Sequence, residues 1–388
     1  MTKKYLWIVL LIATQLACGV QHADSGTRQK TNNGKEEEPV QKSNAGKLVK
    51  PKGLYVINRL EGKLPESCFT DPGIDGMFLR YHWNEIQPTE KNFDWTALDA
   101  DFQKAIQNHK KIELSVVAGG ECPDWIYTKG IPKLHFTEAT RNFYGKTIDY
   151  DLPAFWKEEY KVLWKNLITQ LAAHINSKPG YMDAITLVKL NGINSKSEEM
   201  KLPQEVNVEK ENGRSTGDHR TIWANAGYRP SSVINTWKEF ADVIAEQFPN
   251  CYIGLALVIP KQGFPDVDEN GRSASENNTQ QMLLDAAVKK FPDRLAVNFT
   301  ALRAKGGTPE FIKELHAKGV VTGYQLFGQF INPPCIKTNN CDDEELKAAF
   351  VNGFNNNADF IEVFYQTLKA YPGAIKYAKK EYDKKSND

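Results

Sequence analysis

The sequence lacks the residue spacings that usually build a zinc site. Its seven histidines and six cysteines include no Cys-x-x-Cys pair and no His-x-His or His-Glu-x-x-His spacing. We therefore expect no metal ion and no other cofactor. A metal-dependent hydrolase is disfavoured for the same reason.

A charge bias of either sign is also missing. The net charge is +1 at neutral pH, and the Lys and Arg residues are dispersed, so no basic stripe predicts a nucleic-acid partner and no acidic tail predicts a basic one. The 41% of hydrophobic and 25% of charged residues are typical of a globular protein. From residue 50 onward the chain is long enough for one large domain or two ordinary ones.

The long apolar run at the N-terminus is too short to be a stable transmembrane helix. Lys3 and Lys4 precede "YLWIVLLIATQLAC", the arrangement of an export signal peptide. The segment "QLAC" resembles a bacterial lipobox with Cys18 as the lipidated residue, although Gln15 stands where the motif usually has an aliphatic residue. Ordinary signal-peptidase cleavage near Ala17 is the alternative.

The next segment, residues 19–49, has almost no large apolar side chain. It cannot bury enough surface to offset its ordering entropy, so we expect a disordered tether. The expected organisation is therefore a signal peptide at 1–18, the tether at 19–49 and a folded domain at 50–388. This predicts an exported lipoprotein anchored at the periplasmic or cell-surface face of a membrane, or otherwise a secreted or periplasmic protein.

An exported chain permits disulfides. The segment "CIKTNNC" places Cys335 and Cys341 close enough to close a small loop. A bridge between Cys68 and Cys122 is a second candidate with weaker support, and Cys251 opens an apolar run as a buried thiol would.

Short β-rich runs alternate with segments of helical period, which is the pattern of a parallel sheet covered by helices. Eight such runs predict a single (β/α)8 barrel, and no Gly-x-Gly-x-x-Gly follows the first run as a dinucleotide-binding open sheet would require. The runs are residues 53–58, 76–83, 111–118, 184–191, 251–259, 294–302, 320–327 and 359–365. Long segments follow the third run (119–153) and the fourth (192–230), so the decoration lies on the face where such barrels do chemistry.

One stretch is more specific than the periodicity. Residues 76–105, "GMFLRYHWNEIQPTEKNFDWTALDADFQKA", closely resemble the second strand and following helix of retaining (β/α)8 glycoside hydrolases in the clan that includes β-galactosidases and cellulases. The stretch "ELSVVAGGECPDWIYTKG" is similar to their third strand, and "LPAFWKEEYKVLWKNLITQLAAHI" to the helix before their fourth. The resemblance implies hydrolysis of O-glycosidic bonds in a poly- or oligosaccharide.

In that clan the acid/base is a Glu at the end of the fourth strand, and here the nearest carboxylates are Glu198 and Glu199. Asn191 ends the strand. The stretch from Glu199 to Pro203 resembles a Glu-Met-x-Leu-Pro pattern of related barrel proteins, and this resemblance implies Glu199, with Glu198 as the alternative. Two adjacent side chains rarely face the same site, so one of the pair is expected to face solvent. Both facing solvent is the other interpretation.

The nucleophile of the clan is a Glu at the end of the seventh strand, but here Gln325 stands at that place. A glutamine cannot form the glycosyl ester. The leading substitute is Glu362, because an acid in so apolar a strand must be paired, protonated or functional. A buried ion pair with Arg80 or Lys189 is the alternative interpretation of Glu362.

Period-two alternation places Phe78, Arg80 and His82 on one face of the second strand. If that face lines the barrel, Arg80 is a buried cation and needs an anionic or carbonyl partner. The functional interpretation is that Arg80 orients a catalytic carboxylate and that His82 supports it, whereas the alternative is a structural salt bridge.

Aromatic side chains near the mouth of the barrel suit a carbohydrate, because sugar rings stack their C–H faces on aromatic planes. The candidates are Trp83, Trp125, Trp223 and Tyr228, any one of which can instead be core. Asp149 and Asp151 are third choices for the partner carboxylate. Otherwise we expect them, like Asn298, to bind hydroxyl groups.

Two hypotheses follow from these residues. The first is an exported glycoside hydrolase with Glu199 as general acid/base and Glu362 as its partner carboxylate. The second is a glycan-binding barrel without turnover, displayed on a lipoprotein tether, which Gln325 and the displaced acid of the fourth strand favour.

Overall fold

Eight parallel strands close into a barrel in a computed structural model of the protein. The structure describes residues 48–57, 63–139, 147–204, 217–258, 263–274, 278–306, 309–327 and 342–385. The barrel strands, in order around the barrel, are β1 (Gly53–Ile57), β2 (Gly76–His82), β3 (Lys111–Val117), β6 (Ile185–Lys189), β7 (Tyr252–Leu257), β8 (Leu295–Leu302), β9 (Val321–Leu326) and β10 (Phe360–Phe364). Each strand lies inside one of the eight predicted runs, so the predicted (β/α)8 barrel is confirmed.

Two further strands form a hairpin that the sequence did not predict. β4 (Lys133–Ala139) and β5 (Thr147–Pro153) pair antiparallel within the long segment after β3. Two short 3-10 helices, Gly119–Glu121 and Asp124–Lys129, lead into this hairpin. The predicted decoration after the third barrel strand is thus an ordered element.

Helices cover the barrel with apolar stripes, as the 3.6-residue period predicts. In α7, for example, Trp237, Phe240 and Ile244 are buried against the barrel. The helices are α1 (Glu66–Thr70), α2 (Trp83–Ile86), α3 (Thr96–Gln107), α4 (Glu158–Asn176), α5 (Tyr181–Ala184), α6 (His219–Asn225), α7 (Pro230–Gln247), α8 (Thr279–Lys290), α9 (Glu310–Ala317), α10 (Asp343–Asn355), α11 (Tyr365–Ala370) and α12 (Pro372–Lys385). Over the described part of the chain, none of them is long and apolar enough to cross a bilayer.

The interior of the barrel changes from apolar to polar along its axis. Its lower layer is a small apolar cluster of Tyr55, Leu187, Ala296, Val321 and Phe360. Above this cluster, β3, β6, β8, β9 and β10 contribute buried polar or charged side chains, namely Glu113, Lys189, Asn298, Gln325 and Glu362. Charged groups therefore fill the space in which most barrels pack branched apolar side chains.

The second disulfide candidate is wrong, because Cys68 and Cys122 are both free thiols. Cys68 packs into the core from α1, whereas Cys122 is buried in the segment after β3. Burial raises the pKa of the Cys68 thiol to about 12, as expected of an inert core thiol. Cys251 is buried as predicted, while Cys18, Cys335 and Cys341 lie outside the described residues, as do 1–18 and all of the tether except its last two residues.

Candidate functional site at the mouth of the barrel

The segment that carries Glu198 and Glu199 is tied to the barrel at several points. It leaves β6 through Gly192, whose backbone lies in the left-handed region with φ 65° and whose missing Cβ makes room for the Trp164 indole. The Gly120 amide donates to the Ser195 carbonyl (2.7 Å), and the Met200 amide donates to the Ala256 carbonyl of β7 (2.9 Å). These contacts hold the two glutamates above the fourth barrel strand.

Glu198, which was only the alternative candidate, is the glutamate that Arg80 contacts. Nη1 of Arg80 donates to its Oε2 at 2.7 Å, and Nε2 of Gln325 donates to its Oε1 at 2.9 Å. The expected carboxylate partner of Arg80 is therefore present, and the side chain of Glu198 is only 1% exposed. Burial disfavours its ionised form, but the charges of Arg80 and Lys189 outweigh burial and hold the pKa of this carboxyl below its ordinary value.

Glu199 is partly exposed, unlike Glu198, and its carboxyl accepts a hydrogen bond from the hydroxyl of Ser197. Burial and the neighbouring charge of Glu198 raise the pKa of the Glu199 carboxyl. The two adjacent glutamates thus occupy different environments. The surroundings of Glu198 favour the carboxylate, whereas those of Glu199 favour the carboxylic acid.

Glu362 is fully buried in β10. Its Oε1 accepts hydrogen bonds from Nζ of Lys189 (2.6 Å) and Nδ2 of Asn298 (2.7 Å), and its Oε2 accepts from Nε2 of Gln325 (3.1 Å). Burial and the charge of Glu113 raise the pKa of Glu362 well above its ordinary value. The pairing with Lys189 agrees with the alternative interpretation, and Asn298 contacts Glu362 from a fully buried position.

Glu113, a buried acid on β3 that forms an ion pair with Lys189, was not predicted from the sequence. Burial raises the pKa of Glu113, whereas the charge of Lys189 lowers it to a lesser extent. Its signal in the sequence is the same as that of Glu362, an acid within an apolar run, "KIELSVV". Glu113 could therefore have been predicted in the same way as Glu362.

Gln325 joins the two candidate carboxylates. Because Nε2 lies 2.9 Å from Oε1 of Glu198 and 3.1 Å from Oε2 of Glu362, these oxygens are at most about 6 Å apart, near the separation that glycoside hydrolysis needs. The amide group itself occupies the space between them. Glu362 and Gln325 are register partners on neighbouring strands, so they lie side by side in the barrel, and the Gln325 amide bridges Glu362 to Glu198.

His82 and Asn191 lie at the upper ends of β2 and β6, and both are buried. Nδ1 of His82 is 3.6 Å from Glu85 and 3.7 Å from Glu121. Among the described residues, Nε2 of His82 and both polar side-chain atoms of Asn191 have no hydrogen-bond partner. Buried polar atoms in this condition are available to a hydroxyl group or to water.

The prediction of sugar stacking is wrong for three of the four aromatic residues. Trp83, Trp223 and Tyr228 have no exposed surface, because they pack in aromatic clusters of the core; the Trp223 indole, for example, donates to the Pro203 carbonyl at 2.7 Å. A ring without exposed surface cannot stack on a sugar. Trp125 is partly exposed; it packs edge-on against Trp83 with centroids 6.4 Å apart and donates to the Gln87 carbonyl at 3.2 Å.

Asp149 and Asp151 lie on β5 of the hairpin, and their carboxyl groups form hydrogen bonds with side chains of β4. Thr137 donates to Asp149 at 2.5 Å, and Nδ1 of His135 lies 2.9 Å from Asp151. Burial opposes ionisation of Asp151, but hydrogen bonds from His135 and Lys133 outweigh it and lower the pKa of this carboxyl. The Asp149 side chain is 37% exposed, so it can still meet a ligand.

Within the described ranges, no group of three or more His, Cys, Asp or Glu side chains is arranged to hold a metal ion. The network at the mouth consists of acids paired with Lys, Arg and amide groups. In this network the charge of each buried acid depends on its Lys, Arg or amide partners.

Comparison with other proteins supports the fold. No family model matches the sequence, and no curated protein matches it significantly. Among solved structures, the catalytic domain of β-amylase from Paenibacillus polymyxa has a TM-score of 0.51 at 13% identity, with 80% of this chain and 91% of that chain covered. An intracellular xylanase from Thermoanaerobacterium saccharolyticum has a TM-score of 0.44 at 14% identity, with 80% and 84% covered.

A psychrophilic endo-β-1,4-xylanase of glycoside hydrolase family 10 has a TM-score of 0.42 at 11% identity, with 81% of this chain and 85% of that chain covered. At such identities a structural match carries the fold and not the activity. The expected resemblance to (β/α)8 glycoside hydrolases is therefore confirmed for the fold, which this chain shares with the β-amylase catalytic domain.

Proposed function

We propose that the protein hydrolyses O-glycosidic bonds of a poly- or oligosaccharide, with Glu199 as general acid and Glu198 as the ionised carboxylate beside it. Two observations support a carbohydrate substrate. The motif around Arg80 resembles that of glycoside hydrolases, and the fold matches that of a β-amylase.

The observation that carries the proposal is the difference in surroundings between two adjacent carboxyl groups at the catalytic face of the barrel. Glu198 is buried against Arg80 and Gln325, whereas Glu199 is partly exposed, and the pKa values of the two groups shift in opposite directions. Glycoside hydrolysis needs one carboxylic acid to protonate the leaving oxygen and one carboxylate to stabilise or attack the positive sugar ring. Pairs whose surroundings separate their pKa values identify the acid and the base. Glu199 meets the first requirement and Glu198 the second.

The roles follow from exposure and hydrogen bonding. Glu199 is the partly exposed member and can reach the leaving oxygen of a bound glycan. Arg80 and Gln325 fix the charge of Glu198, so this carboxylate stabilises the oxocarbenium-like transition state without reorganising. The proposal moves the partner role from Glu362 to Glu198, because Glu198 directly precedes Glu199 in the segment above β6. Glu362 instead lies within β10, where Lys189, Asn298 and Gln325 all donate hydrogen bonds to it.

The test is release of sugar from a panel of plant and host glycans. Glu199→Gln should lower kcat about 10²–10⁴-fold, the usual contribution of a general acid, and Glu198→Gln should also abolish most turnover. Glu310→Gln makes the same change on an exposed side chain of α9 (72% exposed) and should leave kcat unchanged. If Glu198→Gln and Glu199→Gln both retain turnover, the assignment of these two residues is wrong.

A second candidate function is glycan binding without turnover. The amide of Gln325 fills the space between Glu198 and Glu362, and its position on the seventh barrel strand is where the resembled enzymes carry a nucleophile. This candidate predicts saturable glycan binding that survives Glu198→Gln and Glu199→Gln. Binding should fall in Trp125→Ala, and no sugar should be released at any pH.

A further inference from the structure

The interior of the barrel holds more carboxyl groups than cations at one level. Among the described residues, Glu113, Glu198 and Glu362 lie around Lys189 and Arg80, and at most 7% of any of these residues is exposed. An uncompensated buried charge is so unfavourable that a buried group binds a proton instead. Three acids beside two cations therefore call for one bound proton.

The geometry indicates which acids hold this proton. Nζ of Lys189 contacts both Glu113 and Glu362, and their carboxyl groups lie within hydrogen-bonding reach of each other. Apart from the ion pair with Lys189, no N–H or O–H group of the described residues donates a hydrogen bond to either oxygen of Glu113. A proton between the two carboxyl groups removes one negative charge and supplies the missing donor.

Glu198 is a less suitable site for the proton. Both of its oxygens accept hydrogen bonds, one from the guanidinium of Arg80 and the other from Gln325. An acid that receives two N–H donors, one of them charged, is stabilised as the carboxylate. The remaining neighbours of the acid pair are neutral: Asn298, Gln325, the Phe78 ring 4.2 Å below Nζ of Lys189, and Tyr55, whose hydroxyl lies 3.2 Å from that of Thr186.

We propose that Glu113 and Glu362 share one proton at neutral pH, and that Gln325 transmits this arrangement to Glu198 as a positioning residue. With the proton bound, the charges of the five ionisable groups cancel. Both N–H groups of the Gln325 amide then point at acceptors, so the side chain cannot turn without losing one of them. The positioning of Glu198 for catalysis rests on the proposed function, whereas the shared proton does not.

The charge balance makes an unusual prediction about the two single variants. Glu113→Gln or Glu362→Gln leaves two carboxylates beside two cations, a balanced set that needs no proton. Either change should therefore remove the same single proton from the protein. If the proton were bound to only one of the two carboxyl groups, it would be lost only when that residue is replaced.

The test is infrared spectroscopy of the substrate-free full chain at neutral pH. The measurement uses a Glu199→Gln background, so that the general acid of the proposed function contributes no band. We expect this background to show a carboxylic-acid C=O band, shifted in heavy water, that is lost when Glu113→Gln or Glu362→Gln is added and that is retained when the exposed control Glu310→Gln is added. A band that survives either added change, or that is absent from the background protein, overturns the shared proton. If an added variant does not fold, carbon-13 NMR of labelled Glu carboxyl groups in the Glu199→Gln protein counts the buried acids that stay protonated, and a count of none also overturns the shared proton.

The positioning role is also measured without substrate. In Gln325→Leu, the labelled carboxyl of Glu198 should titrate at a higher pH than in the wild type, because it loses a donor. An unchanged titration overturns the role of Gln325. A protein that shows both results yet releases no sugar contradicts the hydrolase assignment alone, so the two proposals fail in different experiments.

Discussion

Glu198 and Glu199 follow one another in the chain, yet opposite physical causes control them. Contact with the charge of Arg80 decides the state of Glu198, whereas partial burial and the charge of Glu198 decide that of Glu199. The sequence favoured Glu199 and predicted that Arg80 needs a carboxylate partner. The identity of that partner was not predictable, because the contact depends on how the segment after β6 folds over the barrel.

Arg80 should be essential for stability because its removal leaves the Glu198 carboxylate buried without its cation. We expect Arg80→Met to lower the free energy of unfolding by about 3–5 kcal/mol, the usual cost of breaking a buried ion pair. Lys104→Met removes a partly exposed cation from the Lys104–Glu66 pair (38% and 62% exposed) and should change it by less than about 1 kcal/mol. Urea denaturation measures the free energy of unfolding of both variants. Equal decreases would show that the buried Arg80–Glu198 pair contributes no more to stability than an exposed pair.

The pH dependence of stability should have two opposing parts. The pKa of Glu198 is lowered, so its contribution is present above its ordinary value and is lost as the pH falls through the folded pKa. The pKa of Glu362 is raised, so between its ordinary value of 4.5 and its folded pKa the native state binds more protons than the unfolded state. Stability should therefore decline as the pH rises through that second window.

Urea midpoints measured across this pH range separate the two parts. Glu362→Gln should reduce the decline at higher pH, to which the raised pKa of Glu199 also contributes, and should keep the loss at lower pH. A variant with the same pH profile as the wild type would contradict the assignment of the upper window to Glu362.

Among the elements, the barrel strands were predicted and the hairpin was missed. Each barrel strand is a mainly apolar run between turn residues, a signal that is local in sequence. The hairpin strands "KLHFTEA" and "TIDYDLP" alternate apolar with polar or charged residues, which is the weaker pattern of a strand with one buried face. The buried acids fall between these cases: Glu362 was recognised within its apolar strand, and Glu113, with the same signal, was overlooked.

The turn after β6 should control the placement of Glu198. Gly192 combines a positive φ with a close approach to Trp164, so Gly192→Ala meets both backbone strain and steric overlap. Gly130→Ala has the strain alone, since φ is 82° there and no atom lies within 4 Å of the added Cβ. We expect Gly130→Ala to cost about 1–2 kcal/mol and Gly192→Ala to cost about 1–3 kcal/mol more, as thermal denaturation would show.

A displaced Glu198 segment should also reduce turnover. On the proposed function, Gly192→Ala lowers kcat while Gly130→Ala leaves it unchanged. Equal stability losses in the two variants would mean that Trp164 moves aside and that the turn does not constrain the segment.

For the molecule as a whole, we expect export and anchoring through Cys18. Expressed with its N-terminal segment in a bacterium that processes lipoproteins, the full chain should fractionate with membranes and incorporate a labelled fatty acid. Cys18→Ser should remove the label and release the protein from the membrane fraction, whereas Cys251→Ser, at a buried core thiol, should not. A labelled Cys18→Ser protein would contradict the lipobox interpretation.

The charged layer of the barrel also has a consequence for how the protein folds and how it can be divided. Arg80, Glu113 and Lys189 come from the first half of the chain, while Asn298, Gln325 and Glu362 come from the second half. A half-barrel ending after β6 would hold Lys189 and Glu113 without Glu362, at an open edge where water competes for every pair. Barrel closure is therefore expected to be all-or-none, and separately expressed halves should acquire native structure only when they are mixed.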